Sequence, residues 1–259
     1  MNASSNTIMV TGGASGIGLA IALRFLRRGN KVILVGRAKE KLQEAQRGNP
    51  DFVIKSCDIS KAGERMELCE WLLAEHPGLN IVINNAGMQR RINLSRADKS
   101  WDGYADEIQA NLEAPIHLAM LLIPHLMQKA EAAIINVSSG LALTPAAWVP
   151  IYTATKAGLH FFTRALRLQL ANTSVRVSEI LPPMVDTDLG GSGLHTAGVP
   201  LDEFADAVMS QLEAGVDEIG YDTSAAALAD GYTPDVVKEN AALWWKGFSK
   251  NSPEFDNLV

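Results

Sequence analysis

A chain of 259 residues, 47% hydrophobic and 20% charged, can bury a sizeable core as a single α/β domain. Its net charge of -6 excludes a general nucleic-acid binder, which needs a basic face to neutralise phosphates. No apolar run approaches the roughly 20 residues that span a bilayer. The opening MNASSNTIMV lacks the pattern of a secretion signal, and Cys57 and Cys69 have no metal or redox spacing, so a reduced, cytoplasmic protein is expected.

Short apolar runs at 8–11, 31–35, 52–56, 80–83, 132–137 and 175–181 alternate with stretches of helical period at 16–28, 39–46, 61–75, 100–129 and 151–171. Strands that are apolar throughout are those covered on both faces. The alternation predicts a Rossmann-type, doubly wound, mostly parallel α/β sheet with helices on both faces, its seventh strand at 218–221. Ligands of such sheets bind beyond the carboxyl ends of the strands, so functional residues belong there.

The first strand runs into Thr11-Gly12-Gly13-Ala14-Ser15-Gly16-Ile17-Gly18 and then into a helix. Gly12 permits a tight turn. Gly16 and Gly18 let a diphosphate and the strand approach the helix, whose N-terminus offers N–H groups and a positive dipole end. The G-x-x-x-G-x-G spacing lacks the Gly-Lys-Ser/Thr ending of a P-loop, which argues against a kinase or NTPase. The second strand ends Val35-Gly36-Arg37, where NAD enzymes commonly place an acid for the ribose 2′-hydroxyl. A guanidinium there suits a 2′-phosphate, so NADP(H) is favoured and NAD(H) is the alternative, with Arg37 then stacking on adenine or pointing to solvent. After the third strand, Cys57-Asp58-Ile59 offers either an acceptor for the adenine amino group or a helix cap. The fourth strand ends Asn84-Asn85-Ala86-Gly87, a turn able to brace the central loops or contact ribose.

The fifth strand ends Val137-Ser138-Ser139-Gly140, and the helix after it carries Tyr152-Thr153-Ala154-Thr155-Lys156. Tyrosine and lysine at i and i+4 share a helix face. A carbonyl that receives hydride becomes an alkoxide and needs a proton. Free tyrosine, with a pKa of about 10, ionises too little at neutral pH to work in both directions. A neighbouring ammonium and an oxidised nicotinamide favour the phenolate, and a serine hydroxyl can clamp the same oxygen.

These motifs, in this order across residues 7–187, resemble the classical short-chain dehydrogenase/reductase family. The resemblance implies an oxidoreductase whose catalytic residues are Asn111, Ser139, Tyr152 and Lys156. Tyr152 is then the general acid/base and Ser139 the clamp, while Lys156 holds the nicotinamide ribose and tunes Tyr152. Asn111 is implied to hold a water that links Lys156 to solvent. The implied cofactor set is Gly12, Ser15, Gly16, Ile17, Gly18, Arg37, Asp58, Ile59, Asn85, Gly87, Tyr152 and Lys156, with Val185 and Thr187 at the carboxamide. Within the family the chain is most similar to the bacterial DltE-like oxidoreductases, a likeness that names no substrate. One departure is Pro182-Pro183, where the family has Pro-Gly; proline removes an N–H and fixes φ, so this turn must differ.

The substrate-facing loops are expected at 87–93, 140–150 and 188–200. Leu141, Ala142 and Trp148 suggest a hydrophobic wall. Gln89, Arg90 and Arg91 offer a hold for a carboxylate or phosphate, with a solvated arginine pair as the alternative, and His195 is either polar surface or a substrate contact. Residues 1–222 make the dinucleotide-binding and catalytic unit, and 223–259 a helical tail of the same domain or of a subunit interface. The stripe Val237, Ala241, Trp244 and Phe248 covers either its own subunit or a neighbour. The expected partners are a small carbonyl or alcohol substrate and a second copy of the chain in a homodimer or homotetramer, with no nucleic acid, membrane or metal. A non-catalytic dinucleotide sensor would be expected to lose Tyr152 or Lys156, and an epimerase or dehydratase would usually need an added substrate domain.

Overall fold

The computed structural model describes residues 2–96 and 100–258. Seven strands run parallel: β1 (Thr7–Thr11), β2 (Lys31–Gly36), β3 (Val53–Ser56), β4 (Leu79–Asn84), β5 (Ala132–Val137), β6 (Val175–Leu181) and β7 (Glu218–Gly220). Their spatial order is β3-β2-β1-β4-β5-β6-β7. The chain winds outward from β1 to β3, then returns to the other side of β1 with β4. The crevice between the carboxyl ends of β1 and β4 is therefore the switch point where such sheets take ligands.

The strands are apolar throughout because alternate residues feed two cores. Ile8 and Val10 of β1 pack with Ile21 and Phe25 of α1 (Gly16–Arg27), while Met9 points to the other layer with Leu118 and Leu122. The first layer is completed by α2 (Lys39–Gly48) and the second by α3 (Ala62–Glu75). Each fully buried side chain of this kind contributes about 1.5–3 kcal/mol.

The helical stretch expected at 100–129 is divided: α4 (Asp102–Ile108), a π turn (Gln109–Glu113), then α5 (Ala114–Leu126). Pro115 explains the division, because it has no N–H to return to the Asn111 carbonyl four residues back. The Ala114 N–H instead bonds the Gln109 carbonyl, five residues back. Next, α6 (Pro150–Gln169) begins with proline at its first position, where a missing N–H costs nothing.

A helix absent from the sequence reading, α7 (Leu201–Ala214), packs Phe204, Val208, Met209 and Leu212 into the first core and ends at left-handed Gly215 (φ 79°). It is tied to α1 through Arg24, which reaches Asp206 at 2.6 Å and Asp202 at 3.1 Å. The small-residue stretch after β7 forms α8 (Thr223–Ala229), and α9 (Pro234–Ser249) starts at the expected Thr233-Pro234 signal. The α9 stripe turns toward its own chain: Phe248 stacks on Trp148, ring centroids 4.3 Å apart and planes within 10°. Phe255, fully buried, meets both Trp245 and Phe248.

Candidate active site

The glycine turn is held in place by the end of β4. Thr11 Oγ1 accepts from the Asn85 and Ala86 amides at 3.0 and 3.1 Å, and Asn85 Nδ2 donates to the Thr11 and Gly12 carbonyls at 3.0 and 3.2 Å. Asn85 is thus a brace between the two halves of the sheet, one of the two roles its sequence position allowed. Gly12 (φ 63°) and Gly16 (φ 52°) adopt the left-handed backbone that favours glycine. Ser15 is extended and makes no side-chain cap, and the first turn of α1 holds no acid. The positive end of α1 is therefore uncompensated by the chain itself, and the turn is open enough that a Cβ on Gly16 would meet only Thr187, at 3.6 Å. That fits a diphosphate.

Around this turn, Arg37 is exposed at the end of β2 and its Nη1 reaches Met88 Sδ at 3.6 Å. Asp58 Oδ1 accepts from the Ser60 amide at 3.1 Å and hydroxyl at 2.8 Å, closing a turn ahead of α3, whose N-cap is Lys61 and not Asp58. Ile59 is buried beside it. Val185 is buried and bridges to Val199, and Thr187 lies against Gly16, so the Pro182–Thr187 segment closes the other side of the crevice.

At the end of β5 the Ser139 hydroxyl accepts from the Leu141 amide at 3.1 Å. The Pro182 carbonyl accepts from Gly140 N at 2.8 Å, tying the serine loop to the proline segment. Tyr152 and Lys156 are buried on the inner face of α6, with Lys156 Nζ 5.6 Å from the Tyr152 ring centre and donating to the Val137 carbonyl at 2.7 Å. Burial pushes the Tyr152 phenol up to about 12; hydrogen bonding by Ser139 pulls against this, and the Glu107 carboxylate pushes further. In the free protein this is opposite to the lowering expected from the sequence, because removal from water outweighs a lysine lying over the ring. Burial lowers Lys156 to about 8, although Glu179 and Glu107 both favour its charged form.

Asn111 is fully buried in the π turn. Its Oδ1 accepts from Met88 N at 2.8 Å, and its Nδ2 donates to Met88 O at 2.8 Å and to Thr155 Oγ1 at 3.2 Å. The side chain thus bolts the loop after β4 onto α6, between Tyr152 and Lys156. A Cβ at Gly87 would stand 3.5 Å from both Asn111 Oδ1 and Lys156 Nζ, which places Gly87 at the centre of this group.

Ala146, Val149 and Tyr152 form an apolar cluster with Leu141, Trp148 and Leu189, the wall expected of the middle loop. Arg90 is half-buried and paired: it forks onto Asp106 at 2.5 and 2.8 Å, which holds the Asp106 carboxyl below its ordinary range. Arg91 lies over the Phe248 ring, 5.1 Å from its centre. Three groups went unread in the sequence. Thr11 organises the crevice, buried Glu107 faces α6, and buried Glu179 bonds both the Ser138 hydroxyl and His160 Nδ1 beneath the site. For Glu107 the signal was an acid at helical spacing between Tyr104 and Asn111, all three buried. Among the described residues no three His, Cys, Asp or Glu side chains are grouped to hold a metal, and no helix is long and apolar enough to cross a membrane.

The sheet order, the glycine turn at its switch point and the Tyr–Lys pair on α6 define a doubly wound oxidoreductase. The chain belongs to the short-chain dehydrogenase family, whose model it matches over residues 6–196. It is 44% identical over 224 residues to the uncharacterized oxidoreductase DltE of Bacillus subtilis (strain 168), covering 85% of this chain and 89% of that one. A short-chain dehydrogenase from Burkholderia cenocepacia J2315, solved with NADP, superposes with a TM-score of 0.80 at 27% identity over 94% of this chain and 99% of that one. One from Sphingobium yanoikuyae, solved with NADPH, gives 0.79 at 26% identity over 95% and 96%.

Proposed function

We propose that this chain transfers a hydride between NADP(H) and a ketone, aldehyde or secondary alcohol, with Tyr152 as general acid/base. The observation that carries the reading is the burial of Tyr152 and Lys156 side by side on α6, facing Ser139, at the carboxyl end of the sheet that holds the glycine turn. Gly12, Ser15, Gly16, Ile17 and Gly18 would hold the diphosphate, and Asp58 and Ile59 the adenine. Asn85, Gly87, Tyr152 and Lys156 would line the nicotinamide ribose, with Val185 and Thr187 at the carboxamide. Bound there, the dinucleotide supplies or accepts the hydride. Tyr152 gives its proton to the substrate oxygen or takes it back, Ser139 holds that oxygen, and the Lys156 ammonium steadies the phenolate. The side chain of Asn111 is committed to Met88 and Thr155, so the water implied for this residue falls to its backbone carbonyl, which has lost the Pro115 donor. The two free, buried cysteines are in keeping with a cytoplasmic setting.

NADP(H) is preferred to NAD(H) because the residue after β2 is the exposed cation Arg37 rather than an acid. Fluorescence titration should show NADPH bound at least tenfold more tightly than NADH, about 1.4 kcal/mol. Arg37→Asp should reverse that order. Equal affinities in the wild type would overturn the preference and leave the reductase reading in place; binding of neither would remove the reading itself.

The chain is also proposed to assemble as a homo-oligomer through α5 and α6. Met120 on α5 and Met127 at its C-cap, and Phe161 and Leu168 on α6, are exposed in pairs seven residues apart, so each pair shares a helix face. Sedimentation of the wild type should give a dimer or larger, and Phe161→Glu with Leu168→Glu should give a monomer that still binds NADPH. A monomeric wild type would refute the assembly.

A further inference from the structure

Glu107 has no assigned task in the site as described so far. It stands one helical turn before Asn111 on the same face of the helical segment. Asn111 bonds Thr155, which lies between Tyr152 and Lys156 and itself donates to the Tyr152 carbonyl at 2.7 Å. Glu107 is thereby directed at the inner face of α6. Its side chain is fully buried, and beyond the looser approach of the Arg90 main-chain N–H neither carboxyl oxygen has a hydrogen-bond partner. An acid left so exposed to desolvation is costly as a structural element, since a buried carboxylate normally collects two or more donors. The nearest strong donor, the Arg90 guanidinium, is spent on Asp106 instead.

We infer that Glu107 is a positioning residue for Tyr152: its charge, switched by one proton exchanged with water, decides how firmly Tyr152 and Lys156 hold their own protons. The inference rests on the reading of Tyr152 as the acid/base. The charged and titratable groups facing Glu107 are Lys156 and Tyr152 from α6, Arg90 from the loop after β4, and Asp106 beside it on α4. Arg90 and Lys156 favour its anion, Asp106 opposes it, and burial outweighs them all, lifting the carboxyl to about 7. The ionised carboxyl in turn raises both Tyr152 and Lys156. Above neutral pH the anion therefore raises both, so that Lys156 stays an ammonium to higher pH, while Tyr152 is a phenol throughout this range. Below it, the neutral acid loosens both. No bond to substrate changes in this step; the three groups titrate as one coupled set.

The test follows the carboxyl directly, by infrared difference spectroscopy of its C=O stretch in the full-length protein as pH is varied. The wild type should show a band titrating near 7, and Glu107→Gln should remove it. Glu107→Leu, which suits the apolar surroundings, should remove the same band and serves if the Gln variant fails to fold. Lys156→Met, by deleting a neighbouring positive charge, should raise the midpoint by about one unit. In Glu107→Gln the ultraviolet phenolate signal assigned by difference with Tyr152→Phe should appear at lower pH than in the wild type. A merely structural Glu107 would leave the Tyr152 signal and the Lys156 dependence unmoved, so a phenolate onset unchanged in Glu107→Gln, or a midpoint indifferent to Lys156, overturns the inference. These spectra need neither dinucleotide nor substrate. Failure to bind NADPH would count against the oxidoreductase reading and leave this coupling standing.

Discussion

Tyr152→Phe is expected to lower turnover by about 10²–10⁴-fold, the usual contribution of a positioned acid/base, while leaving NADPH binding essentially intact. The ring itself belongs to the apolar cluster with Ala146 and Val149, and phenylalanine preserves that packing. What the variant loses is one hydroxyl and its bond with Ser139, about 1 kcal/mol of stability at most. The pH dependence follows from the same environment. Burial holds the phenol at about 12, so in the free protein Tyr152 stays protonated and ready to donate across the neutral range. Lys156, lowered to about 8, is a cation only below that pH. Reduction of a carbonyl probe should therefore hold steady up to about pH 8 and fall beyond it, as the ammonium that steadies the phenolate loses its proton. The check is NADPH consumption against a panel of ketones and aldehydes, wild type beside variant, across that range. A Phe variant that retained a tenth of wild-type turnover would remove Tyr152 from the chemistry.

Much of this arrangement was legible in the sequence because its signals are local. The strand runs were continuous and apolar, and the glycine turn sat between a strand and a helix. Tyr152 and Lys156 needed only helical spacing to share a face. What stayed hidden depends on pairings across long separations. Nothing near Arg90 announces that Asp106 takes its fork, and nothing near Asp58 shows that its carboxylate folds onto Ser60. Glu107 shares a helical stripe with Tyr104 and Asn111, but its burial is set by how α4 lies on α6. The α7 helix is a different case. Its acidic first turn, its stripe at 204, 205, 208, 209 and 212, and Gly215 beyond its end were all readable signals. The tail's direction turned on the stacking of Phe248 against Trp148, which no periodicity reveals.

The second large effect concerns the crevice rather than the chemistry, and it tests whether the glycine turn is shaped for a ligand. A Cβ on Gly18 would stand 2.4 Å from both the Gly12 carbonyl oxygen and Asn85 Nδ2. Neither can yield cheaply: Asn85 Nδ2 is bonded to the Thr11 and Gly12 carbonyls, and Gly12 is backbone in a left-handed turn. In Gly18→Ala the start of α1 must therefore lift away from the end of β4. That displacement works against the packing of Ile21 and Phe25 and costs about 1–3 kcal/mol. It also swings the first-turn N–H groups off the line on which a diphosphate would sit. NADPH affinity should fall by more than tenfold, about 1.4 kcal/mol, read by the same fluorescence titration. Gly63→Ala supplies the contrast, because a Cβ there meets nothing within 4 Å and the residue lies inside α3. There the same added methyl should raise stability by about 0.5 kcal/mol and leave NADPH binding unchanged. If the two variants behaved alike in the titration, the close approach of α1 to β4 would not be what the dinucleotide requires, and its diphosphate would have to be held elsewhere in the crevice.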